Sequence, residues 1–131
     1  MSITREIIDS FPVKDWYDLL LRKETYSHYI DRPLEKLINS VKNELDELLT
    51  WIQNQDSENI KEEIADVIYN TCQLLQALKK QCLITSEDIQ HSGQAQKQKI
   101  YRRQPFLKDT SDKPQNREEE TALFHKLKNK C

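Results

Sequence analysis

The chain has 131 residues, the length of one domain, with 37% hydrophobic residues, 32% charged residues and a single glycine. A β-rich fold of this length needs several glycines for its hairpin turns, so the composition excludes one and predicts an all-α chain of long helices. The net charge of −2 argues against nucleic acid as the main partner, because duplex binders carry a clear basic excess.

The hydrophobic fraction falls below the roughly 45–50% of ordinary soluble domains, which predicts helix faces buried against a second subunit. Cys72, Cys82 and Cys131 are odd in number and lack CxxC spacing, so neither a disulfide framework nor a zinc site is expected. Cys72 reads as a small core residue of a helix rather than a nucleophile. No apolar run approaches the ~18 residues of a membrane span, and no leader pattern is present. The expectation is a soluble cytoplasmic protein with no membrane and no nucleic-acid partner.

Residues 3–25 read as one or two short helices interrupted at Phe11-Pro12, and residues 26–32 as a polar-aromatic connector. Pro33 suits the first turn of the next helix. From Leu34 to Gln55, Leu34, Leu37, Ile38, Val41, Leu45, Leu48, Leu49 and Ile52 recur at the three- and four-residue spacing of a buried face. A short polar break at 54–57 follows, with Ser57 as the expected N-cap. The next helix carries Ile60, Ile64, Val67, Ile68, Thr71, Leu74, Leu75 and Leu78 on one face. So short a connection predicts an antiparallel hairpin, the core of a helical bundle. Thr85 or Ser86 caps a further helix that turns basic at Lys97, Lys99, Arg102 and Arg103 before Pro105 stops it. Residues 105–116 read as a mobile loop, and 117–128 as a short amphipathic helix. The chain thus divides into a lead-in (1–32), a core (33–104) and a loop with a terminal helix (105–131).

Two carboxylate pairs stand out, Glu44 with Glu47 and Glu63 with Asp66. Three-residue spacing places each pair on one side of its helix. Counted from the turn at Asp56, the first pair lies nine and twelve residues away and the second seven and ten. At ~1.5 Å rise per residue their mean heights differ by about 3 Å, so the four acids meet at one level of the hairpin. At ~100° per residue all four lie off the centres of the apolar stripes, with Glu44 nearest the packed face. Asn70 shares the side of Glu63 and Asp66, and Trp51 that of Glu44 and Glu47. A single such pair is ordinary for the solvated face of a charged helix. Four like charges converging in a partly buried place repel unless a cation neutralises them. Hard oxygen ligands without clustered His or Cys suit Mg²⁺ or Mn²⁺, and Mg²⁺ also takes phosphate oxygens, which points to a polyphosphate substrate.

The array Glu44-x-x-Glu47 then Glu63-x-x-Asp66, with the lead-in Pro33-Leu34-Glu35-Lys36-Leu37, resembles the metal motif of the MazG family of all-α nucleotide pyrophosphohydrolases. Lys99-Ile-Tyr-Arg102-Arg103-Gln-Pro105 is similar to that family's phosphate-binding segment, and Phe124-His-Lys-Leu-Lys128 to its later base-contacting element. Together these cover about residues 33–130. Asn43 stands where the family commonly has a further Glu, Ala65 where it often has Gly, and Phe124 where it has Trp.

The resemblance implies a homodimer or higher homo-oligomer that hydrolyses nucleoside triphosphates to monophosphate and pyrophosphate with Mg²⁺, clearing non-standard or surplus nucleotides. It implies Glu44, Glu47, Glu63 and Asp66 as metal ligands, with Glu47 the first candidate to activate water. Lys99 and Arg103 would then be phosphate clamps, with Arg102, Phe124, Lys128 and Asn70 at the substrate. The competing readings are a dUTPase- or dCTP-pyrophosphatase-type activity, and a non-enzymatic helical interaction module whose acids are surface charge. A basic-tail nucleic-acid binder ranks last.

Overall fold

Phe11-Pro12 interrupts the N-terminal helical pattern, because a proline lacks the N–H that a continuing helix requires. In the computed structural model, which describes residues 2–128, the two pieces are α1 (Ile3–Asp9) and α2 (Val13–Tyr26). A 3-10 turn at Tyr29–Asp31 leads to α3 (Leu34–Gln53) and α4 (Ser57–Lys80), followed by α5 (Ser86–Arg103) and α6 (Arg117–Lys128). No strand occurs among the described residues, so the all-α expectation holds. Cys131 lies outside the described residues. The chain forms two compact units that divide between Leu83 and Ile84.

In the first unit the hairpin of α3 and α4 is the main framework. Its turn departs from expectation in two details. Asp56, not Ser57, caps α4: its carboxylate accepts from the Asn59 backbone N–H at 3.2 Å and from Asn59 Nδ2 at 2.7 Å. A carboxylate at an N-cap satisfies an orphan donor and also complements the helix dipole. Gln55 has a φ of 54°, so the chain reverses there and α3 stops at Gln53 instead of running to 55.

A larger departure concerns which face is buried. The apolar stripe predicts Ile38, Leu45, Leu49 and Ile52 inside, yet they are 41–54% exposed. Leu37 is buried, and Ser40, Glu44, Leu48 and Trp51 are half-buried; these residues fall on the acid-bearing side of α3. On α4, Ile64 and Leu75 are exposed, whereas Glu63, Gln73 and Ala77 are buried. The hairpin therefore closes with its acid-bearing sides turned inward, and a large part of each apolar stripe faces out.

Below the acids the interior becomes apolar. Ile30, Leu37 and Ala77 form the buried core, with Tyr29, Leu34 and Leu74 packed against it. The 3-10 turn that supplies Tyr29 and Ile30 is held to the end of α4 by an ion pair between Asp31 and Lys80. Contacts from α2 come from Trp16, edge-on to Tyr69 at 5.8 Å, and from the Leu20 carbonyl, which accepts from Gln76 Nε2 at 3.1 Å.

The second unit begins with a capping box. The Thr85 hydroxyl accepts from the Asp88 backbone N–H at 3.1 Å, and Asp88 accepts from the Thr85 N–H at 2.7 Å. The segment expected to be a loop contains two 3-10 turns, Pro105–Leu107 and Thr110–Asp112, which order the backbone between α5 and α6. α6 covers the predicted span and packs on α5, with Ile100, Tyr101, Phe106, Leu123, Phe124 and Leu127 half-buried. No helix of the described residues is long and apolar enough to cross a membrane.

Candidate metal centre

The matched heights of the two carboxylate pairs become a cluster in the first unit. Glu44, Glu63 and Asp66 each turn one carboxylate oxygen to within 4.8 Å of the other two. Glu63 is 9% exposed, and one oxygen of Glu63 and one of Glu44 are buried without a hydrogen-bond partner. Buried carboxylate oxygens left unpaired are costly, which is the condition a bound cation relieves. The donor set fits a hard divalent ion, since every candidate ligand is oxygen and none is His or Cys.

Glu47 lies outside this group of three but adjoins it. The close approach of the Glu63 carboxyl and its negative charge hold the Glu47 carboxyl above its ordinary pKa. Glu63 is itself pushed up, first by the contact with Glu44 and then by burial. Both shifts arise because neighbouring carboxylates cannot all ionise freely without a countercharge. Trp51 sits close enough to Glu63 to favour its charged form weakly, but its buried indole N–H falls short of a hydrogen bond.

Asn70 lies at the four-residue step beyond Asp66 and donates from Nδ2 to the Asp66 carbonyl oxygen at 2.8 Å. Its Oδ1 lies 3.3 Å from the Tyr29 hydroxyl and 3.4 Å from Gln73 Nε2. Tyr29 and Gln73 are not among the residues expected from the sequence. Gln73 was legible, because 63, 66, 70, 73 and 77 continue one helical row. Tyr29 was not, because nothing in a short connector fixes where its ring folds.

The basic and aromatic candidates belong to the second unit. Lys99 and Arg102 are exposed near the end of α5, while Arg103 is half-buried with its Nε unpartnered among the described residues. Lys128 lies over the Phe124 ring at 5.9 Å, so those two expected substrate residues meet on α6. Lys97 and Lys108 both approach the Tyr101 ring, at 5.7 and 6.0 Å. Three cations near two rings give this unit a basic, aromatic surface.

Residues 32–107 match the MazG nucleotide pyrophosphohydrolase domain family, more than half of the chain. The chain belongs to this family. The match includes all four acids, Asn70 and the basic end of α5, but not Tyr29, Phe124 or Lys128. Among solved structures the chain is similar to a mazG-related protein from Thermotoga maritima. The TM-score is 0.71 at 20% identity, covering 88% of this chain and 98% of the other. At that identity the likeness concerns the fold. No curated protein matches the chain.

Proposed function

We propose that this MazG-family chain hydrolyses a nucleoside triphosphate to the monophosphate and pyrophosphate, with Mg²⁺ held by Glu44, Glu63 and Asp66 and with Glu47 at the rim. One observation carries the reading: three carboxylate oxygens within 4.8 Å, two of the acids having buried, unpaired oxygens. Mg²⁺ at such a site supplies positive charge to phosphate oxygens and lowers the pKa of water.

The remaining roles fall to the protein's side chains. Glu47, exposed and outside the group of three, orients the attacking water and takes its proton. Asn70 donates to an oxygen of the substrate, Lys99 and Arg103 counter phosphate charge as the anhydride breaks, and Arg102 adds to that field. Phe124 and Lys128 take the base-contacting role by their likeness to the family's later element. The product pair follows from attack at the α-phosphorus, with pyrophosphate leaving.

The test is a nucleotide panel with Mg²⁺ that separates monophosphate and pyrophosphate from diphosphate and phosphate. The expected outcome is monophosphate with equimolar pyrophosphate, abolished by EDTA and restored by Mg²⁺. Glu47→Gln and Asp66→Asn should each lower kcat by about two orders of magnitude or more while the helical circular dichroism is kept. Near-normal turnover in either variant at modest Mg²⁺ sinks the assignment.

A further inference from the structure

A polar row continues beyond the carboxylates into the apolar core, and it ends on a residue outside the family-matched stretch. We propose that Tyr29 is a positioning residue for this site, whose hydroxyl fixes the Asn70 carboxamide so that an N–H rather than the carbonyl is offered to the substrate. The inference rests on the proposed reading of the site and adds a residue that, with the Asp66 carbonyl, sets the polarity of its neutral hydrogen-bonding group.

The geometry is specific. Asn70 Nδ2 spends one hydrogen on the Asp66 carbonyl oxygen, and its second hydrogen has no partner among the described residues. If the carboxamide were reversed, its oxygen would face the Asp66 carbonyl, acceptor against acceptor. Gln73 contributes little to preventing this. It reaches Asn70 Oδ1 only at 3.4 Å, and its own Oε1 is buried without a partner, so no second bond holds the Gln73 amide in place.

Tyr29 is different because its backbone is fixed. Ile30 beside it is 2% exposed in the core, and the turn is tied to α4 through Asp31 and Lys80. The phenol is rigid, and Lys23 and Arg32 lie over its ring at 5.1 and 5.0 Å. Its one hydrogen has two acceptors in reach, Ser40 Oγ at 3.0 Å and Asn70 Oδ1 at 3.3 Å. Ser40 donates its own hydrogen to the Lys36 carbonyl at 3.1 Å, so toward Tyr29 it acts as an acceptor. Ser40 thus competes for the proton that holds Asn70. When Tyr29 donates to Ser40, the phenol oxygen can accept from a reversed amide and only the Asp66 carbonyl opposes reversal; when it donates to Asn70, both do.

The experiment compares Tyr29→Phe, Asn70→Ala, their double variant and Ser40→Ala in the full chain. In the metal-free protein, the side-chain amide signals of Asn70 are identified in ¹⁵N–¹H spectra by their loss in Asn70→Ala. They should move in Tyr29→Phe, and in the opposite direction in Ser40→Ala. On the nucleotide panel, Tyr29→Phe should raise KM about five-fold with kcat within about two-fold, the loss of one neutral hydrogen bond. The double variant should be no worse than Asn70→Ala alone, and Ser40→Ala should leave KM at or below the parent value. Unmoved amide signals, additive KM effects, or a KM rise in Ser40→Ala equal to that in Tyr29→Phe would each overturn the proposal. If the parent hydrolyses no nucleotide, the reading of the site falls instead, and the amide spectra alone decide whether Tyr29 holds Asn70.

Discussion

At the residue scale the acids carry a pH dependence whose sign is fixed by their surroundings. Glu47 and Glu63 both bind protons more tightly in the folded chain than a free carboxylate does, because Glu63 crowds Glu47 and Glu44 crowds Glu63. The folded state therefore holds more protons than the unfolded one between the ordinary carboxylate pKa and the raised values. Across that window stability falls as pH rises. The metal-free protein should accordingly show a higher Tm at mildly acidic pH than at neutrality. Mg²⁺ should flatten or reverse the trend, since its charge favours the ionised acids. Thermal melts over pH with EDTA and with Mg²⁺ measure this, and identical profiles in the two conditions would contradict a metal site at these residues.

At the element scale the hairpin turn concentrates the local cost. Gln55 adopts a φ of 54°, a conformation that costs an L-residue with a side chain about 1–2 kcal/mol and glycine almost nothing. Gln55→Gly should therefore raise stability by up to about 1 kcal/mol, part of the relief being offset by the greater freedom of glycine in the unfolded chain. Urea denaturation checks it; an unchanged midpoint would mean that the turn is not strained. Asp56→Ala acts at the same turn in the other direction. It removes the cap that accepts from Asn59 and should cost about 1 kcal/mol. Because this turn sets the register of α3 against α4, the cap loss should also weaken Mg²⁺ binding, which titration calorimetry reads directly.

At the scale of the whole molecule, Ile38, Leu45, Leu49 and Ile52 form an exposed apolar row on α3, and Ile64 and Leu75 are exposed on α4. We expect these residues to be covered by further copies of the chain, giving a homo-oligomer whose unfolding midpoint rises with protein concentration. Leu49→Glu places a charge in the exposed row and should shift sedimentation toward the monomer while leaving each chain's α3–α4 hairpin helical. A parent that sediments as a monomer at all concentrations would remove this expectation.

The sequence by itself determined the helices and the level of the acids. One glycine, apolar residues at three- and four-residue spacing, a capping Thr85 and a stopping Pro105 act locally, and α6 covers its predicted span for the same reason. Two ExxE- or ExxD-spaced pairs measured from one turn likewise placed Glu44, Glu63 and Asp66 together, because helical rise is constant. Tertiary structure alone decided which side of each helix faces its partner. A periodic stripe identifies residues that avoid water but does not say whether a neighbouring helix or a neighbouring chain covers them. Here the acid-bearing sides of α3 and α4 face each other, burying Glu63 and Gln73 while Leu49 and Ile52 remain outside. The seat of Tyr29 was equally beyond the sequence. A 3-10 turn of three residues has no periodicity to read, and its hydroxyl reaches Asn70, 41 residues away, only because Ile30 and Asp31 anchor the turn against α4.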